Sequence, residues 1–148
     1  MSFVLATSGY SGTPLAAKLG LRDGMAVAFA GLPADLERLA AAADFTSVGR
    51  PKDWAGLVGQ RRKYDFIHAF TRERVEIERH LGDLQDAIKA DGMIWVSWPK
   101  KASRVATDVT EDVVRAAALK LDLVDVKVAA IDEIWSGLKL VIRKERRR

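Results

Sequence analysis

Apolar residues in this chain follow two rhythms, short unbroken runs and stripes spaced three or four apart, and the two alternate. "GMAVAFAGL" (24–32), "YDFIHAF" (64–70) and "GMIWVSW" (92–98) are runs of strand length, as strands buried on both faces show. Between them, "PADLERLAAAA" (33–43) sets Leu36, Leu39, Ala40 and Ala43 on one helical face. "DFTSV" (44–48) is a weak strand, and residues 50–63 read as loop plus a short helix. Thr71 caps a long helix with Ile77, Leu81, Leu84 and Ile88 in one stripe. In "TDVTEDVVRAAALKL", Asp108 and Glu111 form a capping box, with Val114, Ala117 and Leu121 inward. At the start, Thr13 is an N-cap, Pro14 a first helical residue and Gly20 a left-handed terminator.

The pattern changes at the end. "LVDVKVAAI" (123–131) and "LKLVIRK" (138–144) alternate apolar with polar residues, as half-solvated strands do, and "DEIWSG" joins them. Strands alternating with helices, then two strands in succession, predict an α/β, Rossmann-like doubly wound sheet. It has about six strands, mostly parallel, and ends in an antiparallel hairpin. Residues 1–143 fit a single domain, with 1–12 as a loop or lid and 144–148 as a basic tail.

Composition narrows the function. No apolar run reaches the roughly 20 residues of a membrane span, and the start has no charged leader, so a cytoplasmic, bacterial-type protein is expected. The chain has no cysteine, which removes disulfides, thiolate nucleophiles and thiolate metal sites. The net charge of +4 sits in "RKERRR" (143–148), five basic residues and one acid, leaving nineteen of each sign in residues 1–142. A nucleic-acid partner needs a basic face built into the fold, and this excess reads as a solubilising end, so none is expected.

The element order resembles the class I S-adenosylmethionine-dependent methyltransferases, whose seven-stranded sheet also ends in a hairpin. "LGLRDGMAVAFAGLPA" is similar to their first strand and nucleotide loop, and "KYDFIHAF" and "DGMIWVSWP" to later strands. The resemblance implies an acid where Phe29 stands and a glycine where Pro33 stands, with Gly31 retained. It also implies an acid after the second strand, where Gly49 and Arg50 come first and Asp53 follows only later. Proline lacks an N–H and fixes φ, which suits close ligand approach poorly. No S-adenosylmethionine and no other cofactor is therefore expected. "GYSGTPLAAKLG", "DGMIWVSWPKKAS", "ATDVTEDVVR" and "DEIWSGLKLVIR" also resemble a family of small bacterial proteins catalogued as a domain of unknown function.

Ligands of open α/β sheets bind beyond the carboxyl ends of the strands. That rule gathers "AGLPA", "VGR", "AFTRE", "SWPKKAS" and "DEIWSG" on one rim. The candidate site for an anion or a flat ring is Trp98, Lys100, Lys101, Ser103, Trp135, Ser136 and Arg50, with Tyr10, Ser11 and Thr13 as a lid. The alternative reading leaves both lysines as solvated loop residues. Trp95 points away from Trp98 by strand alternation, and Trp54 is not placed. His68 reads as a hydrogen-bonded structural residue, His80 as surface, and the two lack metal-ligand spacing. Asp132 and Glu133 read as turn acids able to pair with Lys100 or Lys101. No catalytic residue and no metal site is expected.

The expected function is a non-catalytic binding or regulatory module on a degenerate methyltransferase-like scaffold, with an unknown protein or small anionic ligand as partner. A sensor or enzyme for a phosphorylated or acidic molecule at the 97–103 rim is the alternative. An active methyltransferase ranks below both, and a homo-oligomer through the hairpin edge stays open.

Overall fold

The computed structural model describes residues 14–147. Its strands are β1 Ala26–Ala30, β2 Ser47–Gly49, β3 Tyr64–Phe70, β4 Ile88–Pro99, β5 Leu123–Ala130 and β6 Trp135–Ile142. Its α-helices are α1 Leu15–Leu19, α2 Arg74–Ala87 and α3 Glu111–Leu119. The six strands form one sheet in the order β2-β1-β3-β4-β6-β5. β1 pairs in parallel with β2 and β3, and β3 with β4. β6 runs antiparallel to both β4 and β5, which returns β5 to the common direction. This is the expected methyltransferase-like α/β sheet, one strand short of seven.

The unbroken apolar runs follow from helical cover on both faces. Ala28, Ala30, Ile67, Ile94 and Val96 meet Ile77, Leu81 and Leu84 of α2 and Val114 of α3. Val27, Phe29, Phe66, Phe70 and Trp95 meet Leu19 of α1 with Leu36 and Leu39 on the other face. Fully burying one such side chain stabilises the fold by about 1.5–3 kcal/mol, so these two layers dominate its energetics. Trp95 and Trp98 lie on opposite faces as strand alternation requires, and the Trp95 indole donates to the Leu19 carbonyl.

Several local expectations change. Residues 34–41 wind as 3₁₀ turns, because φ and ψ at Leu36 leave the helical region and the three-residue spacing of Leu36 and Leu39 suits that tighter winding. β2 is only Ser47–Gly49, and β6 opens at Trp135, so part of the expected linker is strand. Gly20 terminates α1 in the left-handed region as expected, with φ +92°. Thr13 lies outside the described residues.

Helix capping is also reassigned. The Thr110 hydroxyl, not Asp108, accepts the Val113 N–H of α3. Asp108 instead accepts the Arg74 N–H at the start of α2, tying the α3 approach to a different helix. Thr71 sits ahead of α2 and accepts the Glu73 N–H. Glu111, Asp112 and Asp125 converge on Arg115, whose pKa is raised by the bonds to Glu111 and Asp125.

Residues 143–147 make contacts with the domain. Arg143 and Arg146 both reach Asp122, and the Arg147 Nε donates to the Ile142 carbonyl. Among the described residues no helix is long and apolar enough to cross a membrane.

Candidate functional site

The strand order reverses between β1 and β3, the position where open α/β sheets place their ligands. Five segments reach this carboxyl rim: residues 31–35 after β1, 50–54 after β2, 71–73 after β3, 100–105 after β4, and the 131–134 turn between β5 and β6.

The β2 side of the rim is closed by the chain itself. Gly31 adopts φ +67° and donates its N–H to the Pro51 carbonyl. A Cβ at Gly31 would stand 3.0 Å from the Phe70 carbonyl oxygen, so this glycine serves a close approach of backbone to backbone. Trp54, unplaced in the sequence, is fully buried in the 3₁₀ turn Trp54–Leu57 and donates its indole N–H to the same Phe70 oxygen. Arg50 pairs with Glu37. The glycine-rich loop and ribose acid of the resembled family are therefore not reproduced at this corner.

Open space lies on the hairpin side. A groove of about 330 Å³ runs between Pro33, Ala34 and Asp35 after β1, Arg72 after β3, and Asp132 and Trp135 of the hairpin. Among the described residues the Arg72 guanidinium has no ion-pair partner, although its carbonyl accepts from Thr107. Asp132 Oδ1 accepts the N–H groups of both Ile134 and Trp135, which fixes the carboxylate, and its other oxygen makes no hydrogen bond among the described residues. Trp135 is half-buried, its ring edge-on to Phe70 at 5.2 Å between centroids. A wider recess of about 750 Å³ adjoins the groove, sharing Asp35, Asp132 and Ile134 and adding Arg38, Lys100 and Glu133.

These positions sort the sequence candidates. Trp135 lines the groove and Lys100 the adjoining recess. Trp98 is 6% exposed in the core against α2 and α3; β4 continues to Pro99, so position 98 is still inside the sheet and cannot stack on a ligand. Arg50 lies beyond edge strand β2, three strands from β4, and is held by Glu37. The Ser103 hydroxyl donates to the Lys100 carbonyl, a turn role, while Lys101 is exposed. Ser136 is a half-buried member of β6 paired with Trp98 and Ala130. Neither Asp132 nor Glu133 pairs with Lys100 or Lys101 among the described residues. Tyr10, Ser11 and Thr13 lie outside those residues. His80 pairs with Asp83, and buried His68 bonds to Ser97. Arg72 and Asp35 were missed as site residues; the rim rule gathered "AFTRE" but did not say which of its side chains faces the groove.

No family model and no curated protein matches the chain, so the likeness to the small bacterial family has no support from those comparisons. Solved structures do match. A methyltransferase from Aquifex aeolicus that depends on S-adenosylmethionine is 15% identical with a TM-score of 0.65, over 86% of this chain and 87% of that one. Magnesium protoporphyrin IX methyltransferase from Synechocystis, with S-adenosylmethionine bound, is 15% identical with a TM-score of 0.60, over 87% and 74%. A TehB-like methyltransferase from Corynebacterium glutamicum is 14% identical with a TM-score of 0.53, over 87% and 85%. At this identity the likeness shows the fold. It corrects two expectations, a module without catalysis and the absence of a cofactor. Of these three methyltransferases, two are named as depending on S-adenosylmethionine and the third holds it.

Proposed function

We propose that the chain binds S-adenosylmethionine in the rim groove and acts as a methyl-transferring enzyme. One observation carries this reading: the groove at the switch of strand order brings unpaired Arg72 together with Asp35, Asp132 and the Trp135 ring. That donor set fits a zwitterionic amino acid joined to a cationic sulfonium and a flat base. The guanidinium suits the carboxylate, the two aspartates suit the ammonium, and an indole face suits a sulfonium or an adenine. The groove, at about 330 Å³, falls within the range of small-molecule sites, and the adjoining recess leaves room for an acceptor.

When bound, the cofactor supplies an electrophilic methyl group on sulfur. The chain's own part is binding and orientation. Asp132 is preset by the two turn amides it accepts, and Trp135 is braced by Phe70, so neither needs to reorganise on binding. Calorimetric titration with S-adenosylmethionine tests the reading, comparing the native chain with Arg72→Ala. Arg72 is exposed and forms no ion pair among the described residues, so its loss spares the fold. A lost charged hydrogen bond is worth about 1.5–3 kcal/mol, so affinity should fall by roughly ten- to a hundredfold. A native chain that takes up no S-adenosylmethionine contradicts the proposal.

A further inference from the structure

The two basic runs of the sequence, Arg61-Arg62-Lys63 and the C-terminal Arg143-Lys144-Glu145-Arg146-Arg147, are 80 residues apart and meet at the amino end of the parallel strands. A polar pocket of about 200 Å³ there is lined by Arg61, Arg62 and Arg146 with Asp86 and Asp122. The Arg62 and Lys63 N–H groups hold their run to the Asp86 and Ala87 carbonyls at the end of α2. The Arg143 N–H bonds to the Asp122 carbonyl, and the side chains of Arg143 and Arg146 bridge to its carboxylate. The positive charge is thus built into the fold, the condition that the sequence alone did not meet.

We propose that this pole docks the phosphate backbone of a nucleic acid. The cluster carries seven basic residues against Asp86, Asp122 and Glu145, an excess of four positive charges. Five of the seven are arginines, whose planar forks match phosphate oxygens two at a time. Of the exposed large apolar side chains (Val48, Val58, Val75, Leu119, Val126, Val128) only Val58 neighbours the basic runs in sequence, and none lines the pocket. A protein interface needs an apolar anchor at its centre, and a membrane-surface helix needs an inserted apolar face. A phosphate backbone needs neither. The pole lies at the opposite end of the strands from the rim groove, so the proposal stands or falls independently of the methyl-transfer reading.

The test is fluorescence anisotropy with labelled DNA and RNA duplexes of about 20 base pairs, titrated at low and at roughly fourfold higher salt. With four phosphate contacts, that rise in salt weakens binding roughly a hundredfold. The variant is Arg61→Glu with Lys144→Glu, at two side chains that bond to nothing else among the described residues, so the fold is spared. Binding of either duplex that falls steeply with salt, and at least tenfold more in the variant, supports the proposal. No binding at low salt, or binding the variant keeps, overturns it. Co-sedimentation with phosphatidylserine-containing vesicles while both duplexes stay free also overturns it, in favour of a lipid surface.

Discussion

The Nε2 of His68 and the Oγ of Ser97 lie 2.7 Å apart on adjacent strands, and neither side chain reaches solvent. Phe70 stacks on the imidazole at 4.1 Å between centroids, and the other ring nitrogen is buried without a partner among the described residues. Burial, with no carboxylate to offset it, lowers the His68 pKa from the ordinary 6.5 to about 3.

Stability should therefore depend on pH through this residue. Between pH 6.5 and 3 the unfolded chain holds a proton that the folded chain refuses. The stabilisation is complete above the unfolded value and is lost as pH falls through that window, by at most about 1.4 kcal/mol per pH unit. Urea unfolding between about pH 5 and 6.5, above the main carboxylate range, measures the slope. His68→Gln retains a polar partner for Ser97 but gains no proton, so its slope should be flatter. An unchanged slope in that variant contradicts the assignment.

Gly137 crosses from Ser97 on β6 and leaves no space for a side chain. A Cβ there would meet Ser97 Oγ at 2.9 Å, Ile131 Cδ1 at 3.0 Å and Trp95 Cε3 at 3.1 Å. Gly137→Ala should cost about 1–3 kcal/mol, the usual effect of overpacking a tight core. Equilibrium denaturation decides it, and a neutral result means β6 can move away from β4.

The reassigned cap of α3 gives a smaller effect. Thr110→Ala removes the acceptor of the Val113 N–H and should cost about 1 kcal/mol. If the denaturation midpoint is unchanged in Thr110→Ala, the cap does not act as described.

Much of the sheet was legible because burial on both faces writes β1, β3 and β4 as unbroken apolar runs. The hairpin was legible because apolar and polar residues alternate in its sequence, although β5 at the sheet edge leaves Val126 and Val128 exposed. Where the sequence misled, two geometries share one spacing. Leu36 and Leu39 serve a 3₁₀ turn as well as an α-helix, and Asp108 can cap whichever helix start lies near it, here that of α2. The site was half legible. Strand order brings five segments to one rim, but backbone direction decides that Arg72 lines the groove while Trp98 stays in the core. The family motif at Phe29 and Gly31 falls where Trp54 and Pro51 close the rim, whereas the open groove begins at Pro33 and runs towards the hairpin.

A crystal structure with S-adenosylhomocysteine, the demethylated cofactor, decides whether the rim groove is a cofactor site. Ligand density is expected between Pro33 and Trp135, its carboxylate on Arg72 and its ammonium towards Asp35 or Asp132. Density elsewhere, or an empty groove at saturating ligand, would contradict this reading.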